Sequence, residues 1–258
     1  MELSAEDHIA LRRAKSLLEH KGLAVRIASS VGAPLEKVLA ALPEGASHLI
    51  HSATTKSLNA AMRTAVRLMD DTPRPASDRL HTLAAAASGA VGGAFGLAAL
   101  AAELPISTTI MLRSIAAIAR SEGQSVRSTQ VQLACLEVFA LGGPSDGDDA
   151  SESGYFAVRA ALATAMTEAA EHIALRGLSA EASPALVRLI ARIAARFGIP
   201  VTEKVMAQSV PIIGAAGGAM VNVLFITHFQ DVARGHFTVR RLETQYGPDA
   251  VKAAYLSI

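Results

Sequence analysis

The stretch from Ser88 to Pro105, SGAVGGAFGLAALAAELP, decides the fold of this chain, because it resembles a membrane span yet contains four glycines. A second stretch, PIIGAAGGAMVNVLFITHF from Pro211 to Phe229, repeats its core. The repeated element is GAVGGA at 89–94 and GAAGGA at 214–219. The two segments are therefore either lipid-spanning helices or two helices that pack closely inside a protein core.

The glycine spacing predicts close helix packing. Glycines at positions i, i+3, i+4 and i+7 lie on one face of an α-helix, where two backbones can approach each other. The first such face consists of Gly89, Gly92, Gly93 and Gly96, and the second of Gly214, Gly218 and Asn222. We therefore predict an all-α fold, a single multi-helix bundle with two central glycine-striped apolar helices.

Membrane insertion of these segments is the alternative. Residues 82–102 and 205–230 carry no Lys, Arg, Asp or Glu, with His228 counted as neutral, and each run is long enough for a span of about 20 residues. The first run is mostly alanine and glycine, which insert only marginally. Lys and Arg flank the two segments almost equally on both sides, so the positive-inside rule gives no orientation. We favour buried central helices.

The composition narrows the class of protein. The chain has 258 residues, 51% of them hydrophobic and 4% aromatic, and a net charge of +1, which argues against a general nucleic-acid binder. Cys135 is the single cysteine, so neither an internal disulfide nor a cysteine-based zinc site is possible. The N-terminus lacks the apolar run of a signal peptide. We expect a cytoplasmic protein, with association to the cytoplasmic side of a membrane left open.

Apolar residues that recur with the period of an α-helix predict roughly eight to ten helices in one domain spanning 1–258. The first begins near Ser4, whose hydroxyl is suited to capping the helix. Another covers 105–123, with Pro105 at its start and Gly123 at its end. Residues 144–154, PSDGDDASESG, form an acidic loop.

Several of these stretches together resemble the bacterial EcsC protein family. They are SGAVGGAFGLAALAAELPISTTIMLRSIAAIARSEG, LACLEVFALGG, GYFAVRAAL and RFGIPVTEKVMAQSVPIIGAAGGAMVNVLFITHFQDVARGHFTVRRLETQYG. The likeness covers residues from about 48 to 247, in the order of the family's motifs. It implies a helical protein associated with membranes, and it implies no defined reaction.

Most of the candidate catalytic or metal-binding residues lie in the segment THFQDVARGHF, residues 227–237. His228 and Asp231 lie one helical turn apart and could bind a metal or act as an acid–base pair if Glu103 or Glu137 joined them. The competing interpretation is a polar helix face in which Asp231 pairs with an arginine. Glu103, directly before Leu104-Pro105, is interpreted as a cap of the following helix, with a functional carboxylate as the alternative.

A basic helix supplies the candidate membrane or anion site. Arg188, Arg192 and Arg196 repeat every four residues, opposite a set of apolar side chains. That set is Leu186, Leu189, Ile190 and Ile193. Such helices lie on anionic membranes with the apolar face inserted, or they pack that face on a core and leave the arginines in water.

The sequence thus favours a non-enzymatic, membrane-associated protein that binds lipid or a membrane-protein partner. One alternative is a hydrolase or metal-dependent enzyme built on His228, Asp231 and Glu103. The other is a soluble carrier of an apolar ligand such as an acyl chain. We expect no cofactor, no bound metal and no nucleic acid, and the sequence leaves the oligomeric state open.

Overall fold

The described residues form eight α-helices and no strand, which confirms the predicted all-α class. A computed structural model describes residues 3–19, 23, 26–27, 46–67, 97–143, 154–176, 183–208 and 214–258. The helices are α1 (Ala5–Leu18), α2 (Ala46–Arg67), α3 (Leu97–Ser121), α4 (Thr129–Leu141), α5 (Gly154–Arg176), α6 (Pro184–Gln208), α7 (Gly214–Tyr246) and α8 (Pro248–Ser257). Gly89, Gly92, Gly93 and Gly96 lie outside these residues, as does the acidic loop up to residue 153, while Gly154 begins α5.

Local signals set the ends of several helices. The Ser4 hydroxyl accepts a hydrogen bond from the Asp7 amide, as the sequence predicts for the start of α1. Gly123 follows α3 with φ of +78°, and the Gln124 amide donates back to the Ala119 carbonyl. A left-handed glycine with this six-residue hydrogen bond is a common helix ending. Gly247 follows α7 and also has a positive φ, of +88°.

The prediction that Pro105 begins a helix is wrong. Helix α3 starts eight residues earlier, at Leu97, and continues through Pro105. A proline inside a helix removes one backbone hydrogen bond and costs about 3 kcal/mol. Burial of the flanking apolar residues offsets that cost, since Leu104 and Leu112 are both fully buried. Glu103 therefore lies within α3 and does not cap a following helix.

Helix α7 organises the bundle. It packs against α1, α3, α4, α6 and α8, while α2 packs on α3 and α6, and α5 packs on α4 and α6. Helix α4 lies at the centre, because every residue from Val131 to Leu141 is buried. A helix that is buried on all sides belongs to the interior of a globular domain. Of the predicted central glycine helices, the second forms the first turns of α7, and Asn222 is buried there.

Four phenylalanines join the central helices. Phe139 of α4, Phe197 of α6, and Phe225 and Phe229 of α7 are all fully buried. The Phe197 ring centroid lies 4.8 Å from that of Phe139 and 5.4 Å from that of Phe229. The Phe225 and Phe229 centroids are 5.2 Å apart, with nearly perpendicular ring planes. Edge-to-face contacts of this kind add to the free energy gained from burying the rings.

A glycine allows α1 to approach α7. A Cβ atom placed on Gly235 would lie 2.6 Å from Leu18 Cγ and 2.9 Å from the Ala14 carbonyl oxygen. Both distances are below any normal contact, so this position accepts no side chain without a shift of α1. The close approach brings Leu11 and Ala14 of α1 into the core. Sequence reasoning did not single out Gly235, because it stands alone in ARGHF.

We expect Gly235→Ala to lower the free energy of unfolding by about 1–3 kcal/mol, because α1 must move away from α7. The matched control is Gly198→Ala, since a Cβ on Gly198 meets nothing within 4 Å. Alanine is the better helix former, so the control should gain up to about 1 kcal/mol. Urea denaturation followed by circular dichroism measures both. Equal changes in the two variants would contradict the close α1–α7 contact.

Candidate functional site

Glu103 forms a buried ion pair that joins α3 to α6. The Lys204 Nζ donates to both carboxylate oxygens, at 2.7 Å and 3.0 Å. The exposed fraction is 0% for the lysine side chain and 5% for the glutamate side chain. Glu103 is therefore a structural partner of Lys204 in this arrangement.

The surroundings of Lys204 are apolar. Its ammonium lies 4.9 Å from the centroid of the Phe225 ring on α7, in position for a cation–π contact. Desolvation lowers the pKa of Lys204, and the charge and hydrogen bonds of Glu103 oppose that change. Because the charge of each side chain is compensated by that of the other, the two depend on each other for stability.

His228 and Asp231 have partners of their own. His228 Nε2 lies 2.7 Å from the Gly142 carbonyl oxygen at the C-terminal end of α4, so it satisfies an acceptor that the helix leaves open. Asp231 binds Arg26 at 3.2 Å and lies 3.8 Å from Arg234. This is the polar helix face that the sequence offered as the competing interpretation.

The structure thus does not bring Glu103, His228 and Asp231 into one site. Across the described ranges, no group of three His, Cys, Asp or Glu side chains is placed to hold a metal ion. The arrangement gives no support to a hydrolase or metal-dependent enzyme built on these three residues. The carrier of an apolar ligand stays a prediction.

A second polar cluster lies between α4, α5 and α7. The Tyr155 hydroxyl is 3.0 Å from His236 Nδ1, and Arg159 Nη1 donates to the same hydroxyl at 3.3 Å. Arg159 also binds both oxygens of Glu243, at 2.6 Å and 3.0 Å. On the other side of the imidazole, His236 Nε2 lies 3.6 Å from Glu137 Oε2. We call these five residues the α4–α5–α7 cluster.

Burial controls ionisation in the α4–α5–α7 cluster. Desolvation raises the pKa of the Glu137 carboxyl to about 7 and lowers the pKa of His236 well below its usual value. The pKa of the Tyr155 hydroxyl is raised for the same reason. Desolvation also raises the pKa of the Cys135 thiol to about 12, so this cysteine is an unreactive core residue. One sequence signal for the cluster was Glu137 itself, a lone charge in the apolar run LACLEVF.

The three arginines of α6 contact neighbouring helices. Arg188 forms a 2.6 Å ion pair with Glu168, Arg192 donates to the Ala161 carbonyl at 2.9 Å, and Arg196 donates to the Ala140 carbonyl at 3.1 Å. The opposite apolar side chains are buried in the core, as expected for a bundle helix. These are Leu186, Leu189, Ile190 and Ile193. Insertion of that face into a lipid surface is therefore not available to the folded bundle.

The exposed surface of α6 carries a second apolar line. Val187 and Ile199 are 55% and 41% exposed, with exposed alanines at 191 and 195 between them. These four positions are spaced by four residues and run beside the arginines. We call the combined surface the α6 outer face, and it consists of Val187, Arg188, Ala191, Arg192, Ala195, Arg196 and Ile199.

Comparison with models of protein families shows which family the chain belongs to. The family model of the EcsC protein family matches residues 10–242, nearly the whole chain. The chain belongs to the EcsC family. Neither a curated protein nor a solved structure matches it. Membership of the EcsC family confirms the resemblance drawn from the sequence, and the match also takes in part of α1.

The structure of this EcsC protein shows which of its helices have the properties of a membrane span. Within the described residues, one segment, Ala101–Ser121 of α3, has the length and composition of a span, and 61% of its apolar window is buried. Core helices of soluble proteins have the same properties. Most of residues 82–102 lies outside the described ranges. The run 205–230 is shared between α6, which ends at Gln208, and α7, which begins at Gly214.

Proposed function

We propose that this EcsC protein is a non-enzymatic protein that associates with anionic membrane surfaces through the α6 outer face. The observation that supports this function is the exposed pairing of an apolar line with an arginine line on one helix. Basic amphipathic surfaces of this kind bind where phosphate headgroups meet acyl chains. The buried apolar face of the same helix holds it in the bundle, so binding requires no unfolding.

The arginines remain able to bind phosphate. Arg188 and Glu168 are 55% and 41% exposed, and such surface ion pairs contribute only about 0–1 kcal/mol. Arg192 uses one of its N–H groups on the Ala161 carbonyl, and a guanidinium has five. Arg196 is half-buried and holds α6 against the end of α4. We therefore assign headgroup binding to Arg188 and Arg192 and a positioning role to Arg196.

The apolar side chains of the α6 outer face determine how deeply the helix enters the membrane surface. Val187 and Ile199 lie three helical turns apart, with two exposed alanines between them. Their small and medium side chains favour shallow contact with the region between headgroups and acyl chains. Charge supplies the larger part of the attraction, since each Lys or Arg near an anionic surface contributes about 1 kcal/mol.

Vesicle cosedimentation tests the proposal. The full chain should bind vesicles of phosphatidylcholine and phosphatidylserine and bind pure phosphatidylcholine much less. The double variant Arg188→Glu/Arg192→Glu should lose at least about 30-fold in affinity for the anionic vesicles, from two contributions of about 1 kcal/mol. The matched control is Arg12→Glu/Lys56→Glu, which changes net charge equally at two exposed positions on α1 and α2.

Either of two results would overturn the proposal. One is equal binding to neutral and anionic vesicles. The other is an equal loss of binding in the control, which would show that net charge and not the α6 outer face determines the attraction. Both variants keep the core unchanged, so their circular dichroism spectra should match that of the wild type.

A further inference from the structure

The hydrogen bonds of the α4–α5–α7 cluster fix which nitrogen of His236 carries the proton. A guanidinium has no acceptor, so Arg159 Nη1 donates to the Tyr155 oxygen. Of the two partners that the structure gives this hydroxyl, only His236 Nδ1, 3.0 Å away, can accept the Tyr155 hydrogen. Nδ1 is therefore an acceptor, and the ring proton of His236 lies on Nε2, which faces Glu137.

The same geometry disfavours a charged His236. A second ring proton would have to lie on Nδ1, where the Tyr155 hydrogen already points. The positive charges of Arg159 and Arg240 also oppose an imidazolium, and the ring is fully buried. At 3.6 Å the Nε2–Oε2 contact with Glu137 is longer than a charge-assisted hydrogen bond. The contact between His236 and Glu137 is therefore longer than the contact expected of a buried ion pair.

We propose that Glu137 and His236 form a buried proton-binding site that holds one proton as a neutral pair, on Glu137 in the folded chain and on His236 in the unfolded chain. Between pH 4.5 and 6.5, folding thus moves a proton from an imidazole to a carboxyl group without changing the number bound. The pair occupies the contact between α4 and α7, so its neutrality lets these two helices pack without a buried charge.

The other ionisable groups around the pair are accounted for. Helix α4 contributes the Cys135 thiol, α5 contributes Tyr155 and Arg159, and α7 contributes Arg240 and Glu243. Helix α8 contributes Tyr255, whose ring stacks on that of Tyr155 at 5.8 Å. Arg159 and Glu243 neutralise each other through their bidentate contact. Cys135 and Tyr155 stay protonated near neutral pH, because burial raises the pKa of each.

The proposal fixes the sign of two pH dependences. Glutamate has an ordinary pKa of 4.5 and histidine one of 6.5, and the folded pKa of Glu137 is about 7. Between pH 4.5 and 6.5 the folded and unfolded chains each hold one proton on the pair, so the pair contributes no slope. Removing His236 leaves Glu137, whose stabilising contribution is lost as pH rises from 4.5 to 7. Removing Glu137 leaves His236, whose contribution is lost as pH falls below 6.5.

The variants Glu137→Gln and His236→Gln test this by urea denaturation of the full chain at several pH values. Relative to the wild type at each pH, the folded-to-unfolded ratio of His236→Gln should fall roughly 30-fold from pH 5 to pH 7. That of Glu137→Gln should fall roughly 30-fold from pH 6.5 to pH 5. Slopes of the same sign, or slopes equal to that of the wild type, would overturn the proposal.

A measurement on the folded wild type keeps the test independent of whether the variants fold. Nitrogen-15 NMR distinguishes an imidazole protonated on Nε2 from an imidazolium. We expect His236 to show the neutral Nε2–H form from pH 5.5 to pH 8. An imidazolium signal at pH 6 would place the proton on His236 in the folded chain and contradict the proposal.

Discussion

Replacing Lys204 with methionine is expected to lower the free energy of unfolding by about 3–5 kcal/mol, because it leaves a buried carboxylate without its partner. Methionine has a similar length and fills most of the space. The loss therefore comes from the uncompensated charge of Glu103, whose side chain is only 5% exposed. Lys204 also contacts the Phe225 ring, and that contact is lost as well. Urea denaturation at pH 7, followed by circular dichroism, measures the change.

Two further variants separate this explanation from loss of packing. The double variant Glu103→Leu/Lys204→Met removes both charges and should recover most of the stability, since buried ion pairs are often replaceable by apolar side chains. Arg188→Met breaks an exposed pair and should cost less than about 1 kcal/mol. If the double variant is no more stable than Lys204→Met, the buried charge is not the cause.

Phe197→Ala is the second variant with a large expected effect, a loss of about 3–5 kcal/mol. The Phe197 ring lies between α4 and α7, within 6.1 Å of the ring centroids of Phe139, Phe225 and Phe229. Removing it opens a cavity at the point where three helices meet. The neighbours are fully buried aromatic rings, so they have little freedom to fill that cavity.

The conservative variant Phe197→Leu keeps most of the volume and should cost less than about 2 kcal/mol. The same cluster limits substitution of Gly142, because a Cβ atom there would overlap the Phe229 ring. Thermal denaturation of both Phe197 variants gives the comparison. Equal midpoints for the alanine and leucine variants would mean that the cavity is filled by rearrangement and that the phenylalanine cluster is not closely packed.

Much of the fold follows from short-range signals in the sequence. The Ser4 cap of α1 and the glycine that ends α3 each depend on a few neighbouring residues. Pro105 is the exception, since proline is common at helix starts and no local signal indicates that α3 continues through it. What keeps it helical is the burial of residues on both sides, which depends on α2 and α7.

The candidate site was less predictable, because its contacts join distant parts of the chain. Glu103 and Lys204 are 101 positions apart, and nothing near either residue indicates the other. The pairing of Asp231 with arginines was foreseen as one interpretation, and Arg234 lies close in sequence, but Arg26 does not. Single-residue signals such as the charge of Glu137 in an apolar helix mark where a partner is needed. They do not say which residue supplies it.

The glycine stripes remain a prediction, while the structure shows glycines at other close contacts. Gly142 faces Phe229, and a Cβ on Gly143 would lie 2.9 Å from the Arg196 carbonyl oxygen. These two follow α4 directly, where glycine is common at the end of a helix. A glycine after a helix has a local explanation, so its role in packing two distant segments is hidden from sequence reasoning.

The contacts of α1 have a consequence for how the chain is made. Asp7 binds Tyr246 and Arg241, and Lys15 donates to the Tyr255 carbonyl, all more than 230 positions away. A ribosome adding about 5–20 residues per second completes α1 roughly 10–40 seconds before α7 and α8 emerge. Helix α1 is thus made well before the helices that it packs against, and Leu11 stays uncovered for that interval. Helices α1, α7 and α8 meet on one side of the bundle, in contacts that form only after α7 and α8 have been made.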